Sequence, residues 1–118
     1  MKNSREAIPV HFKELCRAIC AIVHANINDN RFFYQSVTKS RIPALRKFSF
    51  ADNGVICELD EENVKIKLFV TTIVGEHSIY HNAMELQHRI AEEILLFTSL
   101  LPEEIDVIIT GIKVKKTQ

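Results

Sequence analysis

The sequence predicts an α+β domain, a small two-layer sandwich in which two amphipathic helices cover one face of a sheet of about three strands. Apolar residues recur every three or four positions within residues 9–27 and 79–98, as in helices that bury one side. Between these segments, residues 64–74 alternate apolar and polar side chains, as in a half-buried strand. The predicted order is helix, β-hairpin, helix, strand, within a single domain over residues 1–118.

The first predicted helix, residues 9–27, begins at Pro9, because a first turn does not need the missing amide hydrogen. An Asn-Asp-Asn run at 28–30 ends it, since these side chains compete for backbone hydrogen bonds. The basic and aromatic segment 28–53 that follows is irregular, and both helix and strand stay open there. It holds five of the nine aromatic residues, which argues against disorder.

The hairpin consists of a strand at 55–59, an acidic turn, and the long strand at 64–74. We expect the long strand to be central and to pair antiparallel with residues 54–59. Its apolar side chains are expected to lie buried beneath both helices: Val64, Ile66, Leu68, Val70 and Val74.

The second helix, residues 79–98, follows Ser78 as a predicted N-cap. The final strand is predicted at 105–110, with a Lys-rich tail at 114–118. The apolar stripe of the helix is expected to comprise Ala83, Leu86, Ile90, Ala91, Ile94 and Phe97.

Composition is that of an ordinary globular domain, with 118 residues, 47% hydrophobic and 25% charged residues, and zero net charge. No apolar stretch is long enough for a membrane span, so none is expected. An odd number of cysteines, three, argues against a disulfide framework and favours a reducing, cytoplasmic compartment.

The charges are sorted along the chain. Residues 31–50 carry five cations and no acid, whereas residues 51–64 carry five acids and no base. Such stretches are often only solvated surface. They also allow the basic stretch of one molecule to meet the acidic stretch of another, which predicts a homo-oligomer. Its apolar centre is expected at Phe69 and Ile73, which point away from the main core. Alternatively, residues 28–53 cover this pair within one chain.

The basic and aromatic segment is the strongest candidate binding region. Arginine and aromatic side chains suit a protein interface, and cations interleaved with rings suit single-stranded RNA. The purely structural alternative is that the rings belong to the core and the cations surround them. The candidate partner-binding residues are Arg31, Phe33, Tyr34, Lys39, Arg41, Arg46 and Lys47.

No catalytic residue, cofactor or metal site is predicted, because the common phosphate-binding and hydrolytic motifs do not occur in the sequence. Cys16, Cys20 and His24 lie four residues apart on the first helix, but three ligands at this spacing do not converge easily on one metal. Core packing is the expected role of the cysteines. His77 and His81 could share a metal, although exposed polar residues are the expected reading.

The second half of the chain shows a succession of patterned segments. It has a Gly-Val strand at 54–55, a long alternating strand ending at Gly75, a helix with Leu-Gln at 86–87 before a basic-apolar pair, and a last strand ending in Gly-Ile at 111–112. In this order they resemble the alkaline-shock-protein family of Gram-positive bacteria. The first helix fits as well, with cysteines where the family favours alanine.

The resemblance covers about residues 8–27 and 53–113, and departs at 28–34, where the family has a short segment containing Gly-Val. It implies a non-enzymatic scaffold or adaptor linked to envelope or alkaline stress. Some such proteins are held near the membrane by a separate, membrane-anchored partner. A small RNA-binding module that uses residues 31–50 is the alternative function.

Overall fold

The computed structural model describes residues 10–36, 49–60, 63–75 and 78–114. These ranges form two helices and a five-stranded mixed sheet, which confirms the α+β class but adds strands to the expected sheet of about three. In chain order the elements are α1 (Val10–Asn28), β1 (Phe33–Gln35), β2 (Ser49–Asp52), β3 (Val55–Asp60), β4 (Asn63–Val74), α2 (Ile79–Thr98) and β5 (Glu104–Val114).

Strand β4 is the centre of the sheet, as predicted. One edge of β4 pairs with two strands in succession: β3 lies antiparallel to residues 63–68, and β1 lies antiparallel to residues 70–72. The change from one strand to the other occurs opposite Phe69, whose amide donates to Gly54 and whose carbonyl accepts from Ser36. Part of the segment whose structure the sequence left open therefore completes the sheet beside β4.

The other edge of β4 pairs in parallel with β5. Two parallel neighbours need a crossover connection, and α2 provides it. Strand β5 runs beyond Gly111 to Val114, four residues past the predicted end, because pairing continues along β4. Thr110 is an extra residue in this ladder, a β-bulge between the pairs Val70–Ile109 and Thr71–Gly111.

Both helices pack on the same face of the sheet, here called the inner face, and together they bury one core. Helix α1 crosses β1, β2 and β3, whereas α2 lies over β5. The alternation along β4 decides which side chains enter this core, since every second residue points toward the helices. The inner-face residues Val64, Ile66, Leu68 and Val70 are buried as expected.

Two apolar residues that the sequence assigned to the core are exposed. Val74 is 42% exposed at the last position of β4, and Phe97 is 69% exposed on α2. The buried side of α2 consists of Asn82, Leu86, Ile90 and Ile94, at a strict spacing of four, and Phe97 falls outside this row. Over the described residues, neither helix combines the length and the apolar character of a membrane span.

The turn between β2 and β3 is a two-residue connection, Asn53-Gly54, in which both residues have positive φ, 48° and 85°. These values are those of a type I′ turn, whose twist matches that of the adjoining strands. An Asn-Gly pair between apolar-polar alternations is the strongest short hairpin signal in a sequence. Here that signal marks a second hairpin, β2–β3, which precedes the predicted β3–β4 hairpin and begins within the segment that the sequence left open.

Candidate functional site

The sheet face turned away from the helices, here called the outer face, is the first candidate interaction surface. Within the described parts of the chain, no helix packs on it. Phe69 and Ile73, the predicted oligomer residues, point to this face and are half-buried. Ile108 of β5 lies beside Phe69 in the ladder and is also half-buried. The outer face is thus only partly apolar and only partly open.

The charged residues of the outer face are balanced. Lys65 is in register with Glu58 on β3 and with Glu104 on β5, and Lys67 is in register with Asp106. Cross-strand neighbours of opposite charge stabilise a sheet. A surface of this kind does not favour phosphate groups, because an excess of cations is what binds them.

The candidate partner-binding residues separate in the structure. Phe33 is fully buried in the core, so it is not available to a partner, whereas Arg31 is exposed. Tyr34 is 49% exposed on the outer face, and the Lys113 ammonium lies 5.8 Å from the centre of its ring. The remaining candidates lie outside the described residues: Lys39, Arg41, Arg46 and Lys47. Whether β1 and the residues after it bind a partner stays a prediction.

The described parts of segment 28–53 do not cover the outer face. Strands β1 and β2 lie in the plane of the sheet instead, paired with β4 and β3. Near β2 the outer-face side chain of Ile56 is buried, whereas at the opposite end Tyr34 and Lys113 are exposed. The accessible part of the outer face is therefore the end formed by β1 and the last residues of β4 and β5.

The end of α2 carries the most exposed run of apolar residues in the described chain, and we call it the α2-end cluster. It consists of Leu95, Leu96, Phe97 and Leu101, which are 46%, 74%, 69% and 66% exposed. Three consecutive apolar residues on a helix cannot all face one core, because successive side chains point about 100° apart. The Leu-Leu-Phe run was therefore the signal, available in the sequence, for an exposed apolar site.

The three cysteines lie together where α1 packs on the sheet, and all are buried and free. A hydrogen bond joins the sulfur atoms of Cys16 and Cys57, which are 2.9 Å apart. Burial, with Cys57 and Asp52 nearby, raises the pKa of the Cys20 thiol from 9.0 to about 12. The hydrogen bond with Cys16 and burial also raise the pKa of Cys57. Because thiolates are the nucleophiles and metal ligands, protonated buried thiols are suited to packing.

The histidines singled out in the sequence do not join these thiols. His24 Nε2 lies 3.1 Å from the Asp52 carbonyl oxygen. His81 Nε2 lies 3.2 Å from Glu85 Oε2 on the exposed side of α2, and His77 is outside the described residues. In the described ranges, no three His, Cys, Asp or Glu side chains are grouped so that they could share a metal ion.

Compared with models of known protein families, with curated proteins and with solved structures, the chain gives no match.

Proposed function

We propose that this protein is a cytoplasmic, non-enzymatic scaffold or adaptor of the alkaline-shock type, which associates with itself and binds a partner protein. The observation that carries the proposal is the α2-end cluster. Its large apolar side chains are exposed at the same end of α2, which costs free energy in water, and exposed apolar surface of this kind commonly marks an interaction site. Leu96, Phe97 and Leu101 are each about two-thirds exposed or more, so a partner has most of their area to bury.

The position of this cluster suits a docking site. Helix α2 is capped at both ends, by Ser78, which accepts from the His81 amide, and by Ser99, whose amide donates to Leu95 in a left-handed C-cap. The cap fixes the backbone of the last turn, so the positions from which these apolar side chains project are set before a partner arrives. A pre-ordered docking segment loses less backbone entropy on binding.

The chemistry of the described core supports a non-enzymatic role. The groups most suited to nucleophilic chemistry are the three thiols, and all are buried. The pKa values of Cys20 and Cys57 are raised, so these thiols stay protonated at neutral pH. A protonated, buried thiol serves as a small apolar side chain.

The RNA-binding alternative is favoured by one observation, the exposed ring of Tyr34 beside Lys113 and near Arg31 in the chain. A ring and adjacent cations can stack on a base and contact its phosphate. The balanced charges elsewhere on the outer face weigh against it, because Lys65 and Lys67 have acidic neighbours in register.

Two measurements on the full chain test the proposed function against this alternative. Sedimentation at about 100 µM chain is expected to show assemblies, because a scaffold with a micromolar dissociation constant is mostly associated there. Binding of a single-stranded RNA oligonucleotide is expected to be weak. A chain that is monomeric at low and at high salt would contradict the self-association. Tight RNA binding with a steep salt dependence, lost in Arg31→Ala/Tyr34→Ala, would favour the RNA module instead.

The partner-binding part is tested by crosslinking in bacterial cells that produce the protein. Charges introduced by Leu96→Lys/Phe97→Lys are expected to remove a specific crosslinked protein while leaving circular dichroism and thermal unfolding nearly unchanged. Ala21→Lys is the matched control, since it places a lysine at an exposed position of α1. Equal crosslinking by both variants would contradict docking at the α2-end cluster.

A further inference from the structure

We infer that the free edge of β5 pairs antiparallel with β5 of a second copy of this chain, so that two sheets join into one. The inference rests on the self-association in the proposed function and assigns its surface. Strand β5 is 11 residues long, and β4 is the only described strand that pairs with it. The Ile105 carbonyl also accepts from the Gln87 side chain at 2.6 Å, and a carbonyl oxygen can accept a second hydrogen bond. The unpaired N–H and C=O groups along such an edge are a template for another strand.

The bulge at Thr110 determines which side chains of β5 share a face. Asp106 and Lys113 are seven residues apart, so a regular strand would place them on opposite faces. The extra residue restores them to the same face: Asp106 is in register with Lys67 and Lys113 with Ile73, both on the outer side of β4. One strand therefore carries an acid and a base on the same face, on either side of its centre.

An antiparallel pair of β5 strands with Ile109 opposite Thr110 of the second copy brings these charges together. In that register, Asp106 of each copy lies opposite Lys113 of the other, so the two-fold symmetry gives two pairs of opposite charge. Opposite charges directly across an antiparallel pair stabilise it, and like charges destabilise it. The symmetric arrangement is also the commonest for a dimer.

The same register accounts for two exposed apolar side chains. Ile112 and Val114 are on the inner side of β5 but are 59% and 78% exposed. In the proposed pair, Ile112 lies opposite Val107 of the second copy and Val114 lies opposite Ile105. Those two residues already pack against the core of their own chain, so the pairing extends the apolar inner face across the junction.

Two neighbouring registers lose these contacts. A shift by one residue would set inner-face against outer-face side chains over most of the strand. A shift by two residues that moves the first residues of the two β5 strands closer together would place Asp106 opposite Gly111. Val114 would then lie opposite Glu103 and would have no apolar partner. A bulge in one strand can protect an edge by putting it out of step with a regular neighbour. In the proposed pair the bulges of the two β5 strands lie at the same point of the ladder, so the residues on either side of them remain in register.

Charge reversal tests the inference directly. Asp106→Lys and Lys113→Asp each place like charges at both pairs, and each variant alone is expected to associate about tenfold more weakly than the natural chain or worse. In an equimolar mixture every pair is again a lysine and an aspartate, so heterodimers are expected. The matched controls Glu92→Lys and Lys13→Asp reverse exposed charges on α2 and α1 and are expected to change association little.

Hydrogen exchange of the natural chain gives a second readout that needs no variant. Amides of β5 are expected to exchange more slowly at high than at low protein concentration, whereas those of α1 do not change. Association that persists unchanged in both reversals, or β5 exchange that is independent of concentration in an associating chain, overturns β5 pairing but leaves the proposed function standing. If both the natural chain and the equimolar mixture of the two variants are monomeric, β5 pairing and the proposed self-association are both overturned.

Discussion

The sulfur atoms of Cys16 and Cys57 lie 2.9 Å apart, and through them α1 contacts β3 in the buried core. The two residues are 41 positions apart in the sequence, so only the packing of helix on sheet brings them together. Burial raises the pKa of Cys20 in the same part of the core, and the pKa of Cys57 is raised as well, which makes this region sensitive to high pH.

Alkaline pH is expected to destabilise the fold through Cys20. The unfolded thiol ionises near its ordinary pKa of 9.0, whereas burial keeps the folded thiol protonated to about 12. The unfolded state therefore loses its proton first, and between these values the free energy of unfolding falls by about 1.4 kcal/mol per pH unit. Urea unfolding at several pH values measures the slope, which Cys20→Ala should reduce. The control Ile19→Val should retain it; equal slopes for all three chains would contradict the assignment.

Shortening a side chain of the central strand β4 to alanine is expected to lower the free energy of unfolding strongly at Leu68 and only slightly at Val74. Leu68 is fully buried, so Leu68→Ala should lower the free energy of unfolding by about 2–5 kcal/mol. Val74 is on the same face of β4 but is 42% exposed, so Val74→Ala should cost less than about 1 kcal/mol. Chemical denaturation of both variants gives the comparison. Similar losses would mean that the helices do not cover β4 as described.

The β2–β3 turn is expected to require glycine at position 54. Gly54 has φ of 85°, so Gly54→Ala should destabilise by about 1 kcal/mol or more, because a Cβ disfavours this backbone region. Asn53→Gly places glycine, which adopts positive φ without strain, at the other turn position, so this variant should change stability much less. Thermal unfolding of both variants is the measurement. A harmless Gly54→Ala would argue against the type I′ turn.

Two buried asparagines are expected to respond in opposite ways to replacement by leucine. The Asn26 side chain donates to the Ile22 carbonyl at 2.9 Å and to Glu93 Oε1 at 2.8 Å, whereas the side-chain amide group of Asn82 has no hydrogen-bond partner in the described structure. Asn82→Leu should therefore stabilise by about 1 kcal/mol, because it removes an unpaired polar group. Asn26→Leu should destabilise by about 1–3 kcal/mol, because Glu93 loses its donor. Urea unfolding tests both signs: a lower free energy of unfolding in Asn82→Leu, or an unchanged one in Asn26→Leu, would contradict them.

The candidate surfaces were only partly readable from the sequence. Phe33 was grouped with the binding residues because it adjoins Arg31 and Tyr34, yet it is in the core and Tyr34 is exposed. Alternation within a three-residue strand is too short to show which residue faces inward. The α2-end cluster was missed because Phe97 fits the broad apolar stripe that the sequence predicts for the helix. In the structure, the buried side of α2 is restricted to every fourth residue, which leaves Phe97 outside it.

The sequence by itself determined the two helices, the β3–β4 hairpin and the inward side chains of Leu68 and its neighbours. These features depend on local periodicity and short turns, which a few adjacent residues specify. Only the tertiary structure decided that β1 and β3 share an edge of β4, that β5 extends to Val114, and that Asp106 and Lys113 share a face. Each of these depends on pairing with a distant strand, whose hydrogen bonds outweigh local preference and set both the length and the register of its partner.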